Sequence, residues 1–136
     1  MNACVVYFSR TGNTKRLAEA IADTVKAPIL DLTTTDPSAI ETCDLLILGT
    51  PVEYSSPAKE TLAFIEKLSK IAGKKAIVFC TYKIFGNMRT MKAMEKKLAD
   101  KGYQTIALVS KKGMWPEKEA DFTEIRREIK KALEKL

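Results

Sequence analysis

Short, nearly continuous apolar runs alternate along this chain with longer segments whose apolar positions recur every three or four residues. The apolar runs are residues 2–8, 29–32, 45–50, 75–80 and 103–109. Leu45-Leu46-Ile47-Leu48 is the clearest of them. Runs of this length with no polar alternation fit strands buried on both faces, and so a parallel sheet. The intervening segments predict amphipathic helices. Residues 13–26 place Leu17, Ile21 and Val25 on one face, and 57–72 do the same with Leu62, Ile65 and Leu68. Residues 88–101 carry Met91, Met94 and Leu98, and 117–135 carry Phe122, Ile125, Ile129 and Leu133. Asp36-Pro37 reads as an N-cap followed by proline at the first helical position, opening a short helix to about residue 42. Gly73 and Gly102 each close a helix. The order is strand and helix in regular alternation. It predicts one α/β domain over residues 1–136: a doubly wound parallel sheet with helices on both faces.

Polar residues then locate the candidate chemistry. Ser9-Arg10-Thr11-Gly12-Asn13-Thr14 lies between the first strand and the first helix. A turn of this kind presents free backbone N–H groups at the positive end of a helix dipole, which is an anion site. Four hydroxyl or amide side chains around one glycine exceed what an N-cap needs, and the stretch reads as a phosphate cradle. In a doubly wound sheet, ligands bind outside the carboxyl ends of the strands. The loops at 9–14, 50–57 and 81–87 therefore converge on one crevice.

Composition narrows the choice. The 136 residues contain no histidine, which excludes Ser-His and Cys-His catalysis and most zinc sites. Cys4, Cys43 and Cys80 are widely spaced, and two of them sit inside apolar runs, so reduced buried thiols are expected. No metal site and no catalytic residue is predicted. No apolar run is long enough to span a bilayer, and the first residues lack a signal-peptide pattern, so a cytoplasmic protein is expected. The net charge of +6 comes from the second half of the chain. Lys and Glu alternate there along helical segments, which reads as solvated helix faces rather than a nucleic-acid surface.

Ser9-x-Thr11-Gly12-Asn13-Thr14 after a first strand resembles the phosphate loop of flavodoxins. Gly49-Thr50-Pro51-Val52 after the third strand and Thr81-Tyr82 after the fourth extend that likeness over essentially the whole chain, at the length of the short-chain flavodoxins. The resemblance implies a five-stranded sheet of order 2-1-3-4-5 and a non-covalent FMN. Ser9, Arg10, Thr11, Gly12, Asn13 and Thr14 would then surround its phosphate. Thr50, Pro51, Val52, Glu53 and Tyr54 would lie along one side of the isoalloxazine. Thr81, Tyr82, Lys83, Phe85 and Gly86 would line the other, with Tyr54 and Tyr82 as the aromatic candidates for packing on the ring. The implied role is a small electron carrier, a monomer that docks redox partner proteins. The basic residues Lys83, Arg89, Lys92, Lys96 and Lys97 suit an acidic partner. The alternatives are a flavin-dependent reductase or oxidase of this fold, and an interaction module that no longer binds FMN. A dinucleotide site or P-loop is not supported, since neither Gly-x-Gly-x-x-Gly nor Gly-Lys-Ser/Thr is present. Nor do Phe8-Ser9 and Gly49-Thr50 supply the acidic pair of a phospho-receiver.

Three features depart from the family pattern. Lys83 stands in a ring-facing loop where the family often has glycine, so its charge is expected to favour an anionic reduced flavin. No glycine occurs between Pro51 and Pro57, where positive φ would cost a side-chain-bearing residue about 1 kcal/mol or more. Trp115, the one tryptophan, stands in a loop on the carboxyl side of the sheet, a position open to bordering the crevice, and is expected to cover the edge of the core.

Overall fold

A computed structural model describes residues 2–115 and 119–136. Its elements are β1 (Ala3–Tyr7), α1 (Asn13–Val25), β2 (Ile29–Asp31), β3 (Leu45–Glu53), β4 (Ser56–Pro57), α2 (Lys59–Glu66), β5 (Lys74–Tyr82), α3 (Asn87–Ala99), β6 (Tyr103–Lys112) and α4 (Thr123–Leu133). Five strands run parallel in the order β2-β1-β3-β5-β6, which is the expected doubly wound order. The sixth, β4, folds back antiparallel on the end of β3, with Val52 opposite Pro57 and Glu53 opposite Ser56.

The two-residue period of the strands divides their apolar side chains between two cores. Cys4, Val6, Leu46, Leu48, Val78 and Cys80 pack with Phe64 and Ile65 of α2 and Met91, Met94 and Leu98 of α3. Val5, Tyr7, Leu45, Ile47, Ile77 and Phe79 pack with Leu17 and Ile21 of α1 and Ile125 and Ile129 of α4. Both faces of the sheet are thus covered, which is why these strands carry no polar alternation.

Several boundaries differ from the periodicity. The helix expected over 57–72 stops at Glu66, although Leu68 remains buried. The chain instead turns tightly, with Leu68 N donating to Ile65 O and Ile71 N donating to Lys101 O. The short helix after Asp36 is a 3-10 turn, Pro37–Ile40, capped by the Asp36 carboxylate on Ser38 N. The last helix begins at Thr123 rather than 117, and residues 117 and 118 lie outside the described residues. Asp121 Oδ1 accepts from Thr123 N and from the Thr123 hydroxyl just before it. All three cysteines are free and buried, as expected. Among the described residues no helix is long and apolar enough to cross a membrane.

Packing demands the glycine at position 49. Gly49 pairs with Phe79 across β3 and β5, and a Cβ there would lie 2.0 Å from the Phe79 ring. Phe79 is fully buried, so its ring has nowhere to retreat. Gly49→Ala is expected to destabilise the domain by about 1–3 kcal/mol through overpacking. Adding Phe79→Leu should recover part of that loss in urea unfolding. A Gly49→Ala protein as stable as wild type contradicts this packing.

Candidate functional site

The three predicted loops do meet. A cleft of about 380 Å³ opens at the carboxyl edge of the sheet. Its wall is formed by residues of the 10–14, 51–55 and 81–85 segments and by Met114 after β6. That volume lies at the lower end of the range for small-molecule sites.

One end of the cleft is the start of α1. Gly12 has φ 100°, a left-handed turn that a side chain would strain, and it lets the backbone wrap from β1 into the helix. The Ser9 hydroxyl accepts from Gly12 N (3.1 Å) and Lys15 N (3.2 Å). The N–H groups of Arg10, Thr11, Asn13 and Thr14 have no acceptor among the described residues. No acidic residue occupies the first turn of α1. Unpaired N–H groups, a helix dipole and a first helical turn without an acidic residue suit a dianionic phosphate. FMN, which the sequence resemblance implies, has that terminal group, so the residues present fit it.

Two side chains first read as phosphate donors have structural work. Asn13 is buried and donates from Nδ2 to Met114 O at 2.9 Å. The Thr14 hydroxyl is buried against the Thr81 hydroxyl at 2.7 Å. They pin the helix start to the β6 loop and to β5. Thr50 is also structural. It is fully buried, and its Oγ1 accepts from Ala58 N at 3.1 Å and lies 3.0 Å from the Thr61 hydroxyl. Ser9, Gly12, Thr50 and Gly86 are absent from the cleft wall, whereas the other residues singled out in the three loops form it.

The side walls carry the unexpected features. Tyr54 and Ser55 both have left-handed φ, 53° and 59°, although neither is glycine. The loop thus adopts a conformation its composition disfavours, at about 1–2 kcal/mol per residue. Tyr54 has a fully exposed side chain at the cleft. Ser55 rests against Gly86, where a Cβ would come within 2.9 Å of its hydroxyl. Glu53 is tied across the cleft mouth to Arg10, with Nε to Oε2 at 2.5 Å and Nη2 to Oε1 at 2.9 Å. Glu60 of α2 takes the rest of the guanidinium, at 3.0 and 3.2 Å. Phe8 lies beneath it at 4.8 Å. On the opposite wall the Lys83 ammonium sits 4.2 Å from the Trp115 ring centroid. Trp115 is half-exposed, next to Met114 of the cleft wall but not itself part of that wall, and it is not in the buried core. Its carbonyl accepts from Arg16.

Met114, Ser55 and Ile84 join the wall without having been singled out as site residues, and Glu60 joins through Arg10. Loop position alone could have suggested Ser55 and Ile84. No sequence signal marks Glu60, which lies fifty residues from its partner. Burial pushes the Cys80 thiol up to about 12 and raises Cys4 as well, so neither is an available nucleophile. Among the described residues no His/Cys/Asp/Glu group could hold a metal.

A doubly wound α/β domain whose first β-α turn and two further loops meet at one cleft defines the class. The Flavodoxin domain family profile matches residues 4–133, and the chain belongs to that family. It is 32% identical over 116 residues to an uncharacterized protein of Methanocaldococcus jannaschii, covering 83% of this chain and 76% of that one. It is 33% identical over 112 residues to the flavodoxin of Clostridium beijerinckii, covering 76% and 79%. The fold superposes on oxidised Flavodoxin 2 from Bacillus cereus with a TM-score of 0.85 over the whole of both chains, at 21% identity.

The Arg10 guanidinium, hydrogen-bonded to Glu60, holds that carboxyl below its ordinary value of 4.5. The unfolded chain therefore binds this proton more tightly than the folded one, and acid favours unfolding. The stabilisation is whole above pH 4.5 and is lost as pH falls through the lower folded-state value. Glu60→Gln should flatten that part of the acid stability profile in chemical denaturation. An unchanged acid profile contradicts the pairing.

Proposed function

We propose that the protein is a small electron carrier that binds FMN non-covalently in this cleft. The observation that carries the reading is the set of unpaired N–H groups at the start of α1, opening onto two facing loops. FMN supplies one- and two-electron redox chemistry when bound. The chain's own residues do the rest. The backbone of 10–14 and the Thr11 hydroxyl bind the phosphate. Pro51, Val52 and Tyr54 on one side, and Thr81, Tyr82 and Phe85 on the other, flank the flat ring and exclude water from it. Asn13 and Thr14 fix the cradle to those walls. No side chain is needed as a nucleophile or proton donor, and the absence of histidine and the raised thiols agree with that.

Charge supports a partner class. Arg89 lies in the first turn of α3, which follows the cleft loop at 81–86, and Lys111 and Lys112 end β6 at the same edge of the sheet, whereas Lys96 and Lys97 lie in the last turn of α3, at its far end. The carboxylates at the rim, Glu53 and Glu60, are already engaged by Arg10. The rim therefore offers positive charge to an acidic redox protein, in an association that salt weakens.

The first test is a titration of the purified, flavin-stripped chain with FMN, read by quenching of flavin fluorescence. Saturable one-to-one binding in the micromolar range or tighter is expected. A chain that ignores FMN at tens of micromolar contradicts the reading. A second test concerns Lys83, whose cation lies at the ring-facing wall over Trp115. Lys83→Ala is expected to lower the potential of the second reduction by tens of millivolts, because a nearby cation favours the anionic product. No shift, or an upward one, contradicts that role.

A further inference from the structure

We propose that Arg10 is the positioning residue of this cleft: through Glu53 and Glu60 it holds the left-handed Tyr54-Ser55 turn against the phosphate loop, and it does not itself bind the phosphate. The inference rests on the FMN reading for its function, and on the geometry alone for the clasp.

An arginine in a phosphate loop has an obvious first reading as a phosphate ligand, because a guanidinium matches phosphate oxygens bidentately. Donor arithmetic argues otherwise. A guanidinium has five N–H donors. Nε and Nη2 are engaged by the two oxygens of Glu53, and Nη1 and Nη2 by the two oxygens of Glu60. Four donors are thus committed before any anion arrives. One cation shared by two carboxylates leaves the cluster net negative, which repels a dianion rather than attracting it. The Phe8 ring beneath the guanidinium fixes its plane in this orientation.

The same contacts explain how the turn holds its shape. Glu53 ends β3 immediately before Tyr54, and Ser56 opens β4 immediately after Ser55. Two successive side-chain-bearing residues in left-handed conformation persist only where their surroundings over-determine them. The Tyr54 side chain is fully exposed and supplies no packing. The restraints present are the two-residue β3–β4 pairing, the contact of Ser55 on Gly86, and the Arg10 clasp on Glu53. Of these, only the clasp reaches the phosphate loop. It links β1's loop, β3 and α2 across sequence separations of 43 and 50 residues. Arg10 therefore sets the height of one cleft wall relative to the cradle, so that ring and phosphate meet preformed surfaces together.

The test compares wild type with Arg10→Gln, Arg10→Lys and Glu53→Gln. In the flavin-free chain, amide hydrogen exchange of residues 53–56 is read for each. In parallel, binding of riboflavin, which has the ring without the phosphate, is compared with binding of inorganic phosphate. The clasp predicts faster exchange at 53–56 in all three variants. It predicts riboflavin binding weaker by on the order of tenfold, the equivalent of a lost hydrogen bond to a charged group. Inorganic phosphate binding stays within about twofold of wild type, and Arg10→Gln combined with Glu53→Gln is no worse than either alone. Arg10→Lys does not rescue, because an ammonium cannot hold both carboxylates bidentately. Loss of phosphate binding in Arg10→Gln with rescue by Arg10→Lys, or unchanged exchange at 53–56, overturns the proposal. If wild type binds no flavin at all, the FMN reading fails, and the exchange measurement still decides the clasp.

Discussion

A helix that starts at the carboxyl edge of a parallel sheet begins with backbone N–H groups that no turn of its own can satisfy, and α1 makes this the constraint on which the site depends. The first turn contains no acidic residue, and the Ser9 hydroxyl takes only the N–H groups of Gly12 and Lys15. The N–H groups of Arg10, Thr11, Asn13 and Thr14, residues that line the cleft, have no acceptor among the described residues. For them to act together the helix start must not drift, and two buried contacts prevent it: Asn13 to the Met114 carbonyl, and Thr14 to the Thr81 hydroxyl. These contacts join the start of α1, which follows β1, to the end of β5 and to the loop after β6, across the intervening β3. The cradle is therefore rigid because the sheet order is what it is. A different strand order would part α1 from the loops after β5 and β6.

The side walls are held differently. After β3 the chain makes a tight two-residue turn without glycine, in Tyr54 and Ser55. The conformational cost is offset by contacts from outside the turn, among them the Arg10 pairing with Glu53 and the fit of Ser55 against Gly86. Across the cleft, Lys83 is drawn onto the Trp115 ring, which joins the loop after β5 to the loop after β6. Both walls thus depend on interactions between loops, whereas the cradle depends on backbone geometry and two buried polar contacts.

This division explains what the sequence made legible. The strands and the first β-α turn were readable because they follow from local pattern: apolar runs such as Leu45-Leu46-Ile47-Leu48, and a glycine among small polar residues before an amphipathic segment; the strand order followed from the family resemblance. The β3–β4 hairpin was not readable, since nothing in Tyr54-Ser55 advertises a left-handed turn and Pro51 argues for a loop. The end of α2 was missed because Leu68 continues the apolar period after the backbone has left the helix. Thr50 looked like a ligand by its position after a strand, yet its hydroxyl closes the local backbone at Ala58. Trp115 was expected at the edge of the core, while its ring is half-exposed and faces a cation from another loop. The Arg10 partners lie too far along the chain for any spacing rule. Only the fold brings them together.

The central claim is that the backbone of the first β-α turn is the phosphate half of an FMN site. Amide chemical-shift mapping of the nitrogen-15-labelled, flavin-free chain tests it most directly, with FMN and riboflavin added separately. The amides of Arg10, Thr11, Asn13 and Thr14 should shift strongly with FMN and little with riboflavin, while the segments at 51–55 and 81–85 respond to both. Equal responses of the 10–14 amides to the two ligands, or perturbations centred away from this turn, would contradict the account.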